Sequence, residues 1–507
     1  MTRYAAPGRP GSVVAYRERY DHFIGGEYVA PAKGHYFANS TPVTGETFTE
    51  VARGTAEDVD RALDAAHGAS RAWGRTSAAE RATVLDEIAD RVEDNLEALA
   101  VAESWDNGKP VRETLGADLP LAVDHFRCFA GLVRAQEGGL SRIADELVAH
   151  HFPEPLGVVG QLVPWNFPLL AAAWKLAPAL AAGNAVVLKP AEQTPASVHV
   201  LVDVLADLLP PGVLNVVNGF GAEAGRSLVT SRRVARIAFT GERAAGLLVA
   251  QYAGENAVPV TLELGGTSVS VVFDDVTAAR DAFFDKAVEG CATFVLNQGQ
   301  MSTSPSRALV RSGARTEFLG AVVERVEAVV QGHPLDTATT IGALVDHDRV
   351  ARVLAHVETG RREGARLLTG GERADLGGEL SGGCYVAPTV LEGDTATGIF
   401  QDEVLGPVLT VTTFEDFADA IKTANGVPHL VGAGVWSRDG RTAHRAGREI
   451  QAGRVWVNDY QAHPGHAAFG GHEQSGFGRE NRRTALGQYQ QTKSLLVSHS
   501  PHAAGLL

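Results

Sequence analysis

From residue 157 onward short apolar runs alternate with amphipathic stretches, and this alternation limits the fold more than any other feature of the chain. GVVGQLV, AVVLKP, VLNVVNG, RIAFTG, VTLELGG and SVVFDD lack the in-and-out alternation of a half-exposed strand. They read as strands buried on both faces, which belong in a parallel sheet. VHVLVDVLADLL between two of them is a helical pattern, so the segment is a succession of βαβ units. A second α/β series follows in RALVRS, EFLGAVVERVEAVV, PVLTVTTF, DFADAIKTAN, GAGVWSRD and GRVWVND. Upstream, HFIGGEYV and TFTEVA read as short strands. RALDAAHGASRAW and RATVLDEIADRVEDNLEALAVAESWDNG carry apolar residues at three- and four-residue spacing, the stripe of a surface helix. A chain of 507 residues exceeds one compact core. The reading is α/β, with two α/β domains, a helical N-terminal contribution and no internal repeat.

Charge and cysteine content narrow the function classes. The formal net charge is −15 with no long basic block, which argues against nucleic acid or an anionic membrane as the main partner. Cys128, Cys291 and Cys384 are the only cysteines, a sparse odd set that fits a reducing compartment without a disulfide framework. The run LLAAAWKLAPALAAGNAVVL has membrane-span length, but Lys175, Pro178, Gly183 and Asn184 interrupt it, so it is expected to be a buried helix followed by a strand. MTRYAAPGRPGSVVAYRERY at the start has no apolar core of signal-peptide length. A cytoplasmic protein is expected.

The glycine motifs are weak when read singly. GFGAEAG and TGERAAG each stand between a strand and a helix, where backbone N–H groups are able to cradle a pyrophosphate. Neither is the dinucleotide fingerprint GxGxxG, and a tight strand-to-helix turn explains each equally well. Six further segments in fixed order carry more weight: VPWNFP, VVLKPAEQTP, LELGG, NQGQ, QDEVLGPVL and FGGHEQSGFGRE. Together they resemble the aldehyde dehydrogenase superfamily from about residue 20 to 498. SWDNGKPVRETLGADLPLAVDHFR and QAGRVWVNDYQAHPGHAAFGG place the resemblance nearest its bacterial acetaldehyde-oxidising branch.

The resemblance implies a Rossmann-type NAD-binding domain from residues 1–137 and 158–273 and an α/β catalytic domain from 274–486. It also implies a small β oligomerisation arm from 138–157 and 487–507, and hence a homodimer or homotetramer. By the same resemblance, Asn166 in PWN is the side-chain donor to an oxyanion, Glu263 in LELGG is the general base, and Trp165 borders the cofactor. Lys189 and Glu192 hold the adenosine ribose, where a carboxylate would repel a 2′-phosphate and favour NAD over NADP. Gly221, Gly225 and Gly241 serve the phosphate turns, Glu242 stands beside them, and Glu403 and Leu405 flank the nicotinamide ribose. Read without the family, Glu263 lies at an apolar strand end, where desolvation raises a carboxyl pKa.

The family chemistry needs a thiolate, which attacks an aldehyde, and here the residue at that place is Ser302. In NQGQMSTSPSR the second thiol common in the resembling branch is also replaced, by Ser304, and Met301 is expected to line the substrate channel. Cys291 is eleven residues upstream, roughly 16 Å along a continuous helix. Further departures surround Ser302. Glu242 stands for a customary Ser, Thr267 for a Lys, Leu405 for a Phe and Glu473 for a Lys. Glu242 would repel a pyrophosphate if it pointed inward. His463 and His466 have ligand-like spacing, but without a Cys or acidic cluster no metal is expected. Funnel residues such as Met301, Asp459 and His463 spell no particular aldehyde. Three readings follow: an atypical NAD-linked oxidoreductase acting on an aldehyde or hydrated carbonyl, a silent nucleotide-binding scaffold, and a Ser302-dependent acyl hydrolase.

Overall fold

The computed structural model of the chain describes residues 2–503, 505 and 506, so Met1, Ala504 and Leu507, the outermost parts of the expected domains, lie outside the described residues. Five apolar runs form the parallel centre of an eight-stranded sheet. Val158–Leu162 has Ala185–Lys189 and then Leu214–Val216 on one side, and Arg236–Gly241 and then Val260–Leu264 on the other. Strand order therefore reverses about Val158–Leu162. Open parallel sheets bind ligands in the crevice beyond the strand ends at such a reversal. Trp165 and Asn166, Lys189, Gly241 and Glu263 all lie at or just beyond the ends of these central strands. The strands are buried along nearly their whole length, as their unbroken apolar pattern requires.

A seven-stranded sheet forms the second unit, parallel except at its Arg366–Thr369 edge. Within it Thr267–Val272 lies between Arg307–Arg311, the middle strand, and Leu430–Trp436. Thr267–Val272 was expected with the first domain; it belongs to the second sheet, so the chain changes sheets at Gly265–Gly266 rather than after residue 273. Conversely, Gly476–Phe477, expected within residues 274–486, adds an antiparallel edge to Val260–Leu264 of the first sheet. Glu263 sits beside both exchanges.

The N-terminal helices cover the first sheet. The long amphipathic pattern at 81–108 divides at Asn95 into Ala78–Asp94 and Leu96–Asn107. Ser77 caps the first of these through the Glu80 N–H at 3.1 Å, and the Glu80 carboxylate accepts the Ser77 N–H at 2.7 Å, so two otherwise orphaned donors are satisfied. The run at 169–188 is the buried helix Pro168–Ala181 followed by a strand, and among the described residues no helix is long and apolar enough to cross a membrane. Gly139–Ala144, Leu147–Pro155 and Gln490–Ser498 form a separate antiparallel sheet. That sheet leaves Leu140, Ile143, Leu495 and Leu496 exposed.

Candidate active site

The helix Ala282–Ala292 ends well before the reaction segment, so the continuous helix that would have put Cys291 about three turns from Ser302 does not exist. After Leu296 the chain turns sharply: Asn297, Gln298 and Gly299 all adopt left-handed backbone, at φ 48°, 55° and 68°. For the two non-glycine residues this costs on the order of 1–3 kcal/mol each. At Gly299 a side chain is sterically barred, because a Cβ would lie 2.0 Å from the Gly406 carbonyl oxygen. Hydrogen bonds hold the turn on every side. The Gln298 amide donates to the Ala343 carbonyl at 2.8 Å, and the Gln300 side-chain oxygen accepts the Val345 N–H at 2.9 Å. The Asn297 amide donates to the Asn166 carbonyl at 2.9 Å, and its backbone N–H donates to a Glu113 carboxyl oxygen at 2.8 Å.

Beyond the turn, Ser302 lies where two cavities meet. The larger, about 190 Å³, is bordered by Leu170, Trp174, Leu296, Met301 and Phe469, and by the charged Glu113, Asp118 and Lys175. The smaller, about 70 Å³, is bordered by Trp165, Gly241, Glu242, Glu403 and Leu405. Ser302, Asn166, Glu263 and Thr240 border both. The Ser302 carbonyl accepts the Ser268 hydroxyl at 2.7 Å, and the neighbouring Thr303 carbonyl accepts the Tyr460 hydroxyl at 3.0 Å. Ser304 faces away: it is buried, with its hydroxyl 3.4 Å from the Phe294 carbonyl oxygen.

Asn166 donates one amide hydrogen to the Gln300 carbonyl at 2.6 Å. An amide NH₂ has two hydrogens, so one remains for a ligand. Glu263 is buried at its strand end. One carboxyl oxygen accepts the Gly471 N–H at 3.2 Å and the other has no partner. Burial, and then the charge of Glu480, push its pKa well above the usual carboxylate range, against the pull of Lys175. Lys175 itself is bonded to Glu480 at 2.7 Å. The desolvation expected from the sequence is thus present, and Glu480 adds to it.

The cysteines stand apart. Cys291 is buried against the Ser270 hydroxyl at 3.1 Å, and burial pushes its thiol up to about 12. Cys384 is likewise pushed up to about 12 by burial, and burial raises the Cys128 thiol. None of the three borders either cavity.

On the smaller-cavity side the site residues fall into two groups. Lys189 is buried, with its ammonium 3.1 Å from Glu192 and 2.6 Å from the Pro190 carbonyl. The Gly221–Gly225 turn lies against it, since a Cβ on Gly225 would touch the Lys189 side chain at 3.5 Å. This group lies outside the lining of both cavities. The second group is Trp165, Gly241, Glu242, Glu403 and Leu405. Glu242 caps the helix Arg243–Gly254 and its carboxylate is ion-paired with Arg349, with Arg352 at 3.9 Å. The Arg349 guanidinium in turn lies 5.1 Å from the centre of the Trp165 ring. The Glu242 carboxylate, expected to repel a pyrophosphate if it pointed inward, is thus offset by arginine charge. Glu403 has an unpartnered oxygen, and burial pushes its pKa up to about 7 against the Gly266 N–H it accepts. Leu405 adopts left-handed backbone, φ 45°, beside it.

His463 borders the larger cavity, with one ring nitrogen 3.1 Å from Arg454 and the other 3.1 Å from Gln461. His466 is exposed, and among the described residues no group of three or more His, Cys, Asp or Glu is placed to hold a metal. Asp459, expected at the funnel, is exposed and pairs with Lys286 at 3.3 Å instead. Sequence reading missed Glu113, Lys175, Arg349 and Arg352, which reach the site from elements remote in the chain.

The model of the "Aldehyde dehydrogenase family" matches residues 28–495. A probable aldehyde dehydrogenase of Streptomyces coelicolor is 63% identical over 505 residues, covering 100% of both chains. A fluoroacetaldehyde dehydrogenase of Streptantibioticus cattleyicolor is 62% identical with the same coverage. Acetaldehyde dehydrogenase 2 of Cupriavidus necator is 60% identical over 97% of each chain. Among solved structures, the NAD+ complex of an aldehyde dehydrogenase from Bacillus cereus superposes with a TM-score of 0.93 at 35% identity, covering 98% of this chain and 100% of that one. A mutant of the P. syringae indole-3-acetaldehyde dehydrogenase in complex with NAD+ and IAA gives 0.91 at 36% identity, over 96% and 97%. With this likeness running through both the sequence and the backbone, the chain belongs to the aldehyde dehydrogenase family.

Proposed function

We propose that the protein is an NAD-dependent oxidoreductase that converts a small aldehyde and water to the carboxylic acid, with Ser302 in the place of the thiolate. One observation carries this reading: Ser302 stands where an apolar cavity meets a charged one, with Asn166 and Glu263 bordering both. The size of the apolar cavity favours short aldehydes, as do the names of the acetaldehyde and fluoroacetaldehyde dehydrogenases above.

The residues present fit the dinucleotide. Glu192 beside Lys189 offers acceptors to ribose hydroxyls and disfavours a 2′-phosphate, so NAD is preferred to NADP. The unpartnered Glu403 oxygen offers an acceptor for a second ribose, and Arg349 removes the charge conflict at Glu242. When bound, NAD supplies the hydride acceptor. Asn166 donates its free N–H to the aldehyde oxygen as negative charge gathers there. Glu263 takes a proton either from Ser302, which adds to the carbonyl carbon, or from water, which forms the hydrated aldehyde directly. In both routes the carbonyl carbon becomes tetrahedral and gives up a hydride. The hydrate is then the acid, whereas the serine adduct is left as a Ser302 ester, which a water deprotonated by Glu263 hydrolyses to the acid and the free hydroxyl. Serine is far less ionised than cysteine near neutral pH, so turnover is slow. We assign cofactor binding to the unit built on the eight-stranded sheet and catalysis to the unit built on the seven-stranded one. The exposed three-stranded arm joins copies into a homodimer or homotetramer, and the sparse unpaired thiols suit the cytoplasm.

Titration of NAD into the protein tests the reading, with NADH formation followed on a panel of short aldehydes. Micromolar to submillimolar binding and slow NADH release are expected. No binding up to millimolar NAD overturns it. Nitrophenol release from an ester without NAD, lost in Ser302→Ala and unaccompanied by NADH formation, would replace it with hydrolysis.

A further inference from the structure

Three carboxyl groups, Glu113, Asp118 and Glu263, border the larger cavity, and the two outside the proposed chemistry are not equivalent. Asp118 is ion-paired with the buried Lys109, whose ammonium also contacts Glu103 at 3.3 Å and lies 3.8 Å from the centre of the Phe167 ring. Lys109 thus has two carboxyl partners. Glu113 has no cation in hydrogen-bonding reach: one carboxyl oxygen accepts the Asn297 N–H at 2.8 Å and the other has no partner.

Asn297 begins the run of three left-handed residues that brings the chain to Ser302. Its side-chain amide holds the Asn166 carbonyl at 2.9 Å, and it lies 3.3 Å from the Gln300 carbonyl that also accepts the Asn166 amide at 2.6 Å. Glu113 therefore grips the backbone of a residue that contacts both the oxyanion donor and the loop carrying the nucleophile. It approaches from the end of the short helix Val111–Glu113, where the chain widens into the π-helical turn Thr114–Asp118. No other side chain bonds the Asn297 N–H.

We infer that Glu113 is a positioning residue: its carboxyl fixes the left-handed turn at Asn297–Gly299 and through it the geometry of Asn166 and Ser302. The inference rests on the proposed roles of Asn166 and Ser302. Hydrogen bonding from Asn297 requires only an acceptor, so the acid has no need of its charge. Burial, working against the nearby Lys109, pushes the Glu113 pKa up to about 8, which leaves the acid mostly neutral near pH 7. Glutamine matches a neutral acid in shape and keeps the acceptor.

The test uses the full chain carrying Ser302→Cys as parent and p-nitrophenyl acetate as probe. Acylation of the thiol releases nitrophenol in a burst that needs the nucleophile and the oxyanion donor but no dinucleotide. Added Glu113→Ala is expected to slow the burst by about tenfold to a hundredfold, as for an ångström-scale misplacement, with the ester concentration for half-maximal rate little changed. Added Glu113→Gln is expected to keep the rate within about threefold, the acceptor being retained. An unchanged burst in the alanine variant overturns the inference while leaving the reaction site intact. A glutamine variant as slow as the alanine one, with melting temperature near the parent's, also overturns it. A parent without any burst removes the reaction site itself, and the inference with it.

Discussion

The two walls that meet at Ser302 are built on different physics. On the loop side, the polar side chains bond mostly to main chain: Gln298 to Ala343, Gln300 to Val345, Asn166 to Gln300. Hydrocarbon and aromatic side chains such as Leu170, Trp174, Met301 and Phe469 make up much of the cavity wall there. On the other side, charge meets charge across a narrow space, with Glu242 on Arg349 and an unpartnered Glu403 oxygen close by. Main-chain bonds fix geometry whatever side chain stands at the nucleophile, so the loop side keeps its shape although the thiol is gone. Ion pairs exchange partners, so the other side absorbs a changed residue by re-pairing it. Under the proposed function, reactivity then resides in one atom at position 302, whereas cofactor affinity is spread over several charges.

The strongest test of that contrast is Ser302→Cys. If the loop frame is intact, restoring a thiol raises NADH formation from short aldehydes by about a thousandfold. A rise of less than tenfold, with NAD still bound, would mean that the surrounding departures and not the hydroxyl limit the reaction. Within that variant, Glu263→Gln is expected to cost about 10²–10⁴ in kcat through loss of the base. Asn166→Ala is expected to cost about 10²–10³ through loss of an oxyanion donor. Both losses should appear in kcat far more than in NAD affinity, because neither side chain belongs to the charged network around Glu242.

The charged wall gives a smaller and different response. Glu242→Ser frees Arg349 from its carboxylate partner and removes a negative charge from the helix N-terminus at Arg243. Isothermal titration should show NAD binding about five- to tenfold more tightly, close to 1 kcal/mol, with the chemical step unchanged. Weaker binding would show that the Glu242–Arg349 pair supports the cofactor cleft rather than competing with it.

What the sequence disclosed follows the same division. The strands were legible because continuous apolar runs have one common solution, a buried parallel sheet, and the motifs at their ends carry Asn166, Lys189, Gly241 and Glu263; the reversal of strand order was not. Other features left no local mark. Asn297 and Gln298 are left-handed without being glycine, held by partners far away in the chain. The two-residue strand Gly476–Phe477 is too short to show a period. Arg349 stands in an ordinary amphipathic helix, His347–Arg362, and nothing in its surroundings names Glu242 as its partner. Glu113 lies in SWDNGKPVRETLGADLPLAVDHFR, a stretch that carries the resemblance but names no role for this residue. Each owes its role to a contact between segments distant in the chain.

The smallest expected effect is also the one that isolates a single group on the charged wall. Burial raises the Glu403 pKa to about 7, with Glu242 adding to the rise and the Gly266 N–H and Arg349 opposing it. A ribose hydroxyl donates best to the ionised carboxylate, so NAD binding draws a proton off Glu403 and NAD affinity rises with pH, by about threefold between pH 6 and 8. Stability of the cofactor-free protein has the opposite sign. A carboxyl whose folded pKa lies above its unfolded one holds its proton more tightly in the native state. Its contribution is therefore greatest at low pH and is lost as pH rises from the ordinary carboxylate range through about 7. Glu263, also raised, adds to the same stability slope but has no place in ribose binding. Glu403→Gln should accordingly abolish the pH dependence of NAD affinity while only reducing that of the melting temperature. Affinity that stays pH-dependent in this variant would move the titrating group away from Glu403.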